Sequence, residues 1–271
     1  MAMKLWGRGA VSVVSIVLLA PGSAGASVQF QNTGSTSGWT RLYVEHNGSI
    51  TTVTSPVYKG STSIRARQIY DASYTGRYHC EARQSGMQKR GNDSYYGWTF
   101  RLPTNWQFVD QNFNFQQFIA SFSCDGAASA GKPTTMTWIR GTALSTRFVT
   151  GPNACDRAFT DYTLSTAVGR GIWHRVVIHG RWRSDGTGLF QAWYDGSKKV
   201  DHAGASIPAT DTAYDGAFGM YANGWHDNGQ MLGTQSTREW NIDHLRQATS
   251  YNEADPLSGR RPESSLNEEK S

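Results

Sequence analysis

Three short strings carry side chains that could move a proton: HCEAR (His79–Arg83), FNFQQFIA (Phe113–Ala120) and FGMYANGW (Phe218–Trp225). An imidazole, a side-chain amide and a phenol together suit abstraction of a proton next to a carboxylate. The amide stabilises the charge that develops, while the imidazole or phenol transfers the proton. Each string reads as one strand, and in a strand alternate residues share a face. His79, Glu81 and Arg83 therefore point one way, and Tyr78, Cys80 and Ala82 form an apolar face suited to a core. Taken alone, a row of this kind is an ordinary solvated face with a local ion pair. Gln116 and Gln117 fall on opposite faces, and Phe113 and Phe115 share the parity of Gln117, so alternation leaves open which amide faces outward. Tyr221 lies between Gly219 and Gly224, which gives room for a neighbour or ligand to approach closely. The alternative for Tyr221 is a core aromatic.

The elements that must position these residues are many short strands. Asn47-Gly48 between Arg41–Glu45 and Ser49–Val53 predicts a hairpin. Alternation predicts strands over Thr62–Gln68, Arg77–Arg83, Tyr96–Leu102, Phe113–Phe122 and Thr135–Arg140. Trp173–Trp182 and Gly188–Tyr194 form a pair around Ser184-Asp185-Gly186, and Asp195-Gly196 makes the next turn. Phe218–Ala222 and Glu239–Gln247 close the domain. Long helical periodicity is absent. The expected fold class is all-β, a β-jelly roll sandwich of two antiparallel sheets with a concave groove on one open face. Such a groove suits a polymer. Trp182, Trp193, Trp225 and Tyr96 are candidates for stacking on sugar rings, with most expected to be core.

Residues 1–26 read as a secretory signal: Lys4 and Arg8 precede the apolar Val11–Ala20, and Ala24-Gly25-Ala26 is a small-residue cleavage site. The jelly-roll domain is expected over 27–250, with a polar, disordered tail over 251–271. Of three cysteines, Cys124 and Cys155 flank a Gly/Ala/Ser/Thr-rich excursion that a disulfide would staple, and Cys80 is expected as a buried thiol. The net charge of +5 favours an anionic partner. No basic helix or nucleic-acid motif is present, and no later segment would span a membrane. The expected mature protein is a secreted monomer, and an anionic polysaccharide or a bacterial wall polymer fits its charge, which otherwise serves only solubility. Asp243-His244 reads as a polar pair or, less readily, as part of a structural calcium site.

The three strings, with Tyr95–Trp106 (YYGWTFRLPTNW), Gly171–Val200 and Ile242–Ala248 (IDHLRQA), resemble the jelly-roll polysaccharide lyases and are most similar to the glucuronan lyase family, from about Val28 to Thr249. Jelly-roll alginate lyases share the layout, with an Arg-x-Glu-x-Arg strand, a Gln-x-His strand and a Gly-x-Tyr strand. Here the first reads His79-x-Glu81-x-Arg83, the second Gln117-x-Ile119, and the third Gly219-Met220-Tyr221. The alginate-type histidine is missing, and the resemblance implies that His79 takes its place and that Gln117 faces the groove.

The resemblance implies β-elimination from a uronate polymer, glucuronan first, with alginate or heparin-like chains behind it. Catalysis would fall to Tyr221, His79 and Gln117, with Tyr221 or His79 as the base. Nearby positive charge from Arg83 and His79 is expected to lower the Tyr221 pKa. Arg83, Glu81, Arg101, Trp193 and Asn223 are the expected substrate contacts, and no cofactor is expected in the chemistry. Two other functions use the same fold. A glycoside hydrolase needs a pair of carboxylates, and Glu239-x-Asn241-x-Asp243 lacks the glucanase pattern. A non-catalytic glycan-binding module needs only the groove.

Overall fold

Alternation becomes geometry most plainly in β12 (Leu189–Tyr194), where Phe190, Ala192 and Tyr194 are buried and Leu189, Gln191 and Trp193 are half-buried on the other face. It pairs antiparallel with β11 (Trp173–Arg181), as the sequence predicts. Asp195 (φ 47°) and Gly196 (φ 84°) then turn the chain into β13 (Ser197–Ala203). Two consecutive left-handed residues match the twist of a tight hairpin.

The computed structural model describes residues 27–122, 130–153, 155–210 and 213–257. The strands so described form two antiparallel sheets. The eight-stranded sheet runs β13, β12, β11, β6 (Asp93–Arg101), β15 (Thr237–Ala248), β4 (Ser63–Ile69), β3 (Ser49–Val53), with β1 (Val28–Asn32) also paired to β15. The seven-stranded sheet runs β10 (Ala158–Ser165), β9 (Ala143–Thr150), β8 (Ala130–Arg140), β7 (Phe113–Phe122), β14 (Ala213–Tyr221), β5 (His79–Lys89), β2 (Arg41–Val44). Helices are short: α1 (Asn223–Asp227) and α2 (Tyr251–Ala254). None of the described helices is long and apolar enough to cross a membrane.

Aromatic rings join the sheets. Phe115 of β7 stacks on Trp240 of β15 at 3.9 Å, and Trp98 of β6 meets Phe218 of β14 edge-on at 5.5 Å. Each such ring is at most 1% exposed, and its burial stabilises the fold by about 2–3 kcal/mol. Two sheets face to face, with neighbours distant in sequence, make a β-jelly roll.

Two expectations change. The segment around Asn47-Gly48 is a turn, with Gly48 N–H donating to Glu45 O at 3.0 Å, but it closes no hairpin. β2 pairs with β5 in one sheet and β3 with β4 in the other, so the turn carries the chain across the sandwich edge. The folded unit also runs past residue 250, because α2 buries Ala254 and Tyr251 packs against Trp193 at 5.0 Å. Residues 258–271, and residues 1–26 with the expected leader, lie outside the described residues. Cys155 is disulfide-bonded and Cys80 is a buried free thiol, while Cys124 lies outside the described residues.

Candidate active site

The three strings fold onto adjacent strands, β5, β14 and β7, in the middle of the seven-stranded sheet. Register pairs Tyr221 with His79 on one side and with Asn114 on the other, and Asn114 with Trp138 of β8. A row of imidazole, phenol, amide and indole results. It borders a cleft of about 330 Å³ on the face away from the core, lined also by Gln117, Asn223, Arg77, His226 and Asp227.

β7 departs from simple alternation. Between Asn114 and Gln116 its register with β8 slips by one residue, so Phe115 is the extra residue of a bulge. Phe115 and Gln116 both turn to the core, where Gln116 Oε1 accepts from Thr137. Asn114 and Gln117 both reach the cleft.

His79 is fixed from behind. Its Nδ1 bonds Glu45 Oε2 at 2.7 Å and its backbone N–H donates to the same oxygen at 3.2 Å. Tyr43 O–H donates to Glu45 Oε1 at 2.6 Å. Burial pushes the Glu45 carboxyl up, but the hydrogen bonds from His79 and Tyr43 outweigh it and hold the group below the usual carboxylate range. A carboxylate on Nδ1 assigns the proton to that nitrogen and leaves Nε2 as the one available to the cleft. The imidazole lies against the Tyr221 ring, centroids 3.8 Å apart and 16° from parallel. Burial, then the charge of Asp227, push the Tyr221 phenol well above its ordinary range, against a smaller opposing effect of Arg77. The lowering expected from Arg83 and His79 is therefore corrected.

Glu81 and Arg83 do not line the cleft. Arg83 Nη2 bonds Glu81 Oε2 at 2.7 Å, and its guanidinium lies 4.1 Å from the centre of the Tyr43 ring. Glu81 Oε1 accepts from Gln117 Nε2 at 2.7 Å. Neither borders the cleft, and through these bonds they hold Gln117 in place. Gly219 pairs with Glu81 across β14 and β5, and an added Cβ there would meet the backbone of Cys80 and Glu81.

Arg101 and Trp193 belong to the other sheet and do not reach the cleft. Arg101 of β6 donates through Nε to Gly171 O, and Trp193 of β12 packs between Tyr95 and Tyr251. Alternation places both outward from the core, on the face opposite the cleft. Trp182, Trp225 and Tyr96 are core. Asn223 does line the cleft, its Nδ2 donating to Asp227 at 3.2 Å.

Several buried polar atoms in the cleft have no hydrogen-bond partner among the described residues: Asn114 Nδ2 and Oδ1, Asn112 Oδ1 and Asn223 Oδ1. An unpaired buried amide is costly, and three around one cleft call for a polar ligand.

The chain matches the family model described as polysaccharide lyase over residues 31–246. It belongs to the polysaccharide lyase family. The endo-β-1,4-glucuronan lyase of the fungus Trichoderma reesei is 35% identical and superposes with a TM-score of 0.80, over 86% of this chain and 100% of that one. The PL-14 alginate lyase of Aplysia kurodai (TM-score 0.53, 10% identity, 82% and 98% covered) and the cellulose induced protein Cip1 (0.50, 15%, 81% and 97%) share the fold. A search of curated proteins finds no match.

In this lyase, sequence reasoning missed Glu45, Tyr43 and Asn114. Glu45 follows β2 just before the turn, and no pattern in the sequence signals its pairing with His79. At the far end of the cleft Arg147 lies over Trp138 (5.1 Å) and the exposed Phe159 (4.6 Å), and Asp161 grips it through two bonds. Asp243 does not fit a calcium site. Its Oδ2 accepts from Tyr58 N and Lys59 N and its Oδ1 from His244 N, so donors occupy the places a cation would take.

Proposed function

We propose that this lyase cleaves a polymer of β-linked glucuronate by β-elimination outside the cell. The observation that carries the reading is the stacked pair His79 and Tyr221 facing the unpartnered amide of Asn114. In glucuronate the C5 proton and O4 lie on the same side of the ring. Base and acid must then stand side by side on one face of the sugar, as these two rings do. Similarity to the fungal glucuronan lyase and the isoleucine at position 119 support glucuronan over alginate.

Asn114 and the second N–H of Gln117 hydrogen-bond the uronate carboxylate and stabilise the enolate-like intermediate. His79 Nε2, with Nδ1 anchored on Glu45, takes the C5 proton. The electrons of that bond become the C4–C5 double bond as the C4–O4 bond breaks. Tyr221, kept protonated by its burial, delivers its proton to O4. Asn223 and Arg77 contact the sugar at one end of the cleft, and Arg147 and Trp138 hold flanking units at the other. Location outside the cell is supported by the leader-like residues 1–26 and by the disulfide at Cys155.

A panel of polyglucuronate, alginate and heparin, read by the ultraviolet absorbance of an unsaturated uronate, tests the reading. The expected outcome is a rise on polyglucuronate first. Reducing ends without that absorbance would mean hydrolysis, and no product from any of the polymers would leave only binding.

A further inference from the structure

The outward face of the eight-stranded sheet holds an arrangement that the elimination does not use. Register sets Thr51, Arg65, Asn241, Arg101 and Trp173 side by side across β3, β4, β15, β6 and β11. They point away from the core because Ile64, Ala66, Phe100 and Ile242 point into it. Strands in a sheet lie about 4.8 Å apart, so Arg65 and Arg101 stand roughly 10 Å from each other. One step along the strands, Arg67 lies opposite Glu239. Arg65, Arg67 and Glu239 border a groove of about 550 Å³, walled by Asn105, Thr234 and Gln235. At the far end of the row Trp173 meets Tyr58 edge-on at 5.8 Å.

Although Glu239 stands opposite Arg67, the cations here are not tied up in ion pairs. Arg65, Arg67 and Arg101 form no ion pair with a described residue, and the buried Nε of Arg65 and of Arg67 has no hydrogen-bond partner. Elsewhere Arg83, Arg147, Arg175 and Arg181 each hold an acid. Half-buried guanidiniums in a polar groove favour planar anions such as carboxylates. The row crosses five strands, longer than a small anion needs. Glu239 among the arginines disfavours a densely charged phosphate backbone and suits a chain with one charge per sugar.

We propose that this groove is a second binding site for an acidic polysaccharide, on the opposite side of the molecule from the cleft. Arg65 and Arg67 take carboxylates of the chain, Arg101 takes one further along, and Trp173 offers its ring to a sugar. The site keeps polymer on the enzyme between cleavages by raising its local concentration at the cleft. Naming the occupant a uronate polymer rests on the reading of the cleft given above.

The test is electrophoresis of the whole protein through gels containing polyglucuronate, a neutral β-glucan or DNA, for the wild type and for R65Q/R67Q, each also carrying Tyr221→Phe so that the polymer survives. The expected result is retardation by polyglucuronate that is about tenfold weaker in R65Q/R67Q and restored in R65K/R67K, with little effect of the neutral glucan. With Tyr221 intact, R65Q/R67Q should keep its kcat/KM on short oligosaccharides. Equal retardation in wild type and R65Q/R67Q overturns the proposal, as does equal retardation by the neutral glucan or stronger retardation by DNA. Should the double variant fail to fold, R65Q alone gives the same comparison. A wild type that yields no unsaturated product would defeat the reading of the cleft, while the gels still report on the groove.

Discussion

The imidazole of His79 rests on the phenol ring of Tyr221, centroids 3.8 Å apart, although the two residues are far apart in sequence and meet through the pairing of β5 with β14. In the proposed mechanism the contact joins a base anchored on Glu45 to an acid whose proton is held by burial. Tyr221→Phe keeps the stacked ring and removes only the hydroxyl. Turnover should fall by about 10³-fold or more while polymer binding is retained. Initial rates by ultraviolet absorbance and binding by calorimetry check this, and near-normal turnover would remove Tyr221 from the chemistry.

In the proposed mechanism Glu45 acts through His79, whose Nδ1 it holds. Glu45→Gln leaves a hydrogen-bond acceptor on Nδ1 but takes away the charge that steadies the imidazolium formed when His79 accepts a proton. The expected loss is roughly tenfold to a hundredfold in kcat with KM little changed. A rise in KM without loss of kcat would instead mean that Glu45 only shapes the binding surface.

Much of this arrangement was legible in the sequence. Alternation gave the shared face of His79, Glu81 and Arg83, and the glycine spacing singled out Tyr221. What it left out has physical causes. The bulge at Phe115 breaks the two-residue period, so Asn114 and Gln117, three positions apart, reach one cleft. Asn47-Gly48 signals a turn but not the partners of its flanking strands, and each of those found its ladder in a different sheet. Arg101 and Trp193 do point outward as alternation implies, but alternation does not say from which sheet. Burial of Glu81 and Arg83 depended on the overhanging side chains of β2, which the pattern of β5 cannot report.

Acid should destabilise the fold in a definite window. Asp195 is pushed up by burial, but His174 and the Arg175 backbone N–H bring it below its ordinary value, and Asp93 is lowered by Arg181 and His179 against burial in the same way. A carboxyl with a depressed folded-state pKa contributes stability above its unfolded pKa. That contribution is lost as pH falls through the lower, folded value. Unfolding midpoints in urea should therefore hold steady above about pH 5 and drop below about pH 4. Asp195→Asn should lower the neutral-pH midpoint and flatten the drop. An unchanged acid profile in that variant would exclude Asp195 as a contributor.

Gly219 separates two kinds of tight packing. Its φ of 154° favours glycine, and an added Cβ would press on the carbonyl oxygen of Cys80 and lie 2.7 Å from the Cα of Glu81, both backbone atoms of the paired strand β5. Its own carbonyl accepts from Trp240 Nε1 at 2.9 Å, so β14 is held from the core side and has little room to retreat. Gly219→Ala must then push β14 off β5, the two strands that bring Tyr221 and His79 together. A destabilisation of about 1–3 kcal/mol is expected, with most of the activity lost even at temperatures where the variant is folded. Gly216 of the same strand is the comparison. A Cβ there would meet the sulfur and side-chain carbons of Met87, which can move, and the backbone is not left-handed. Gly216→Ala should cost less and leave turnover near that of the wild type. Melting temperature and initial rate on polyglucuronate measured for both variants decide the matter, and equal effects would mean that the strand contact at Gly219 has no special part in holding the two rings together.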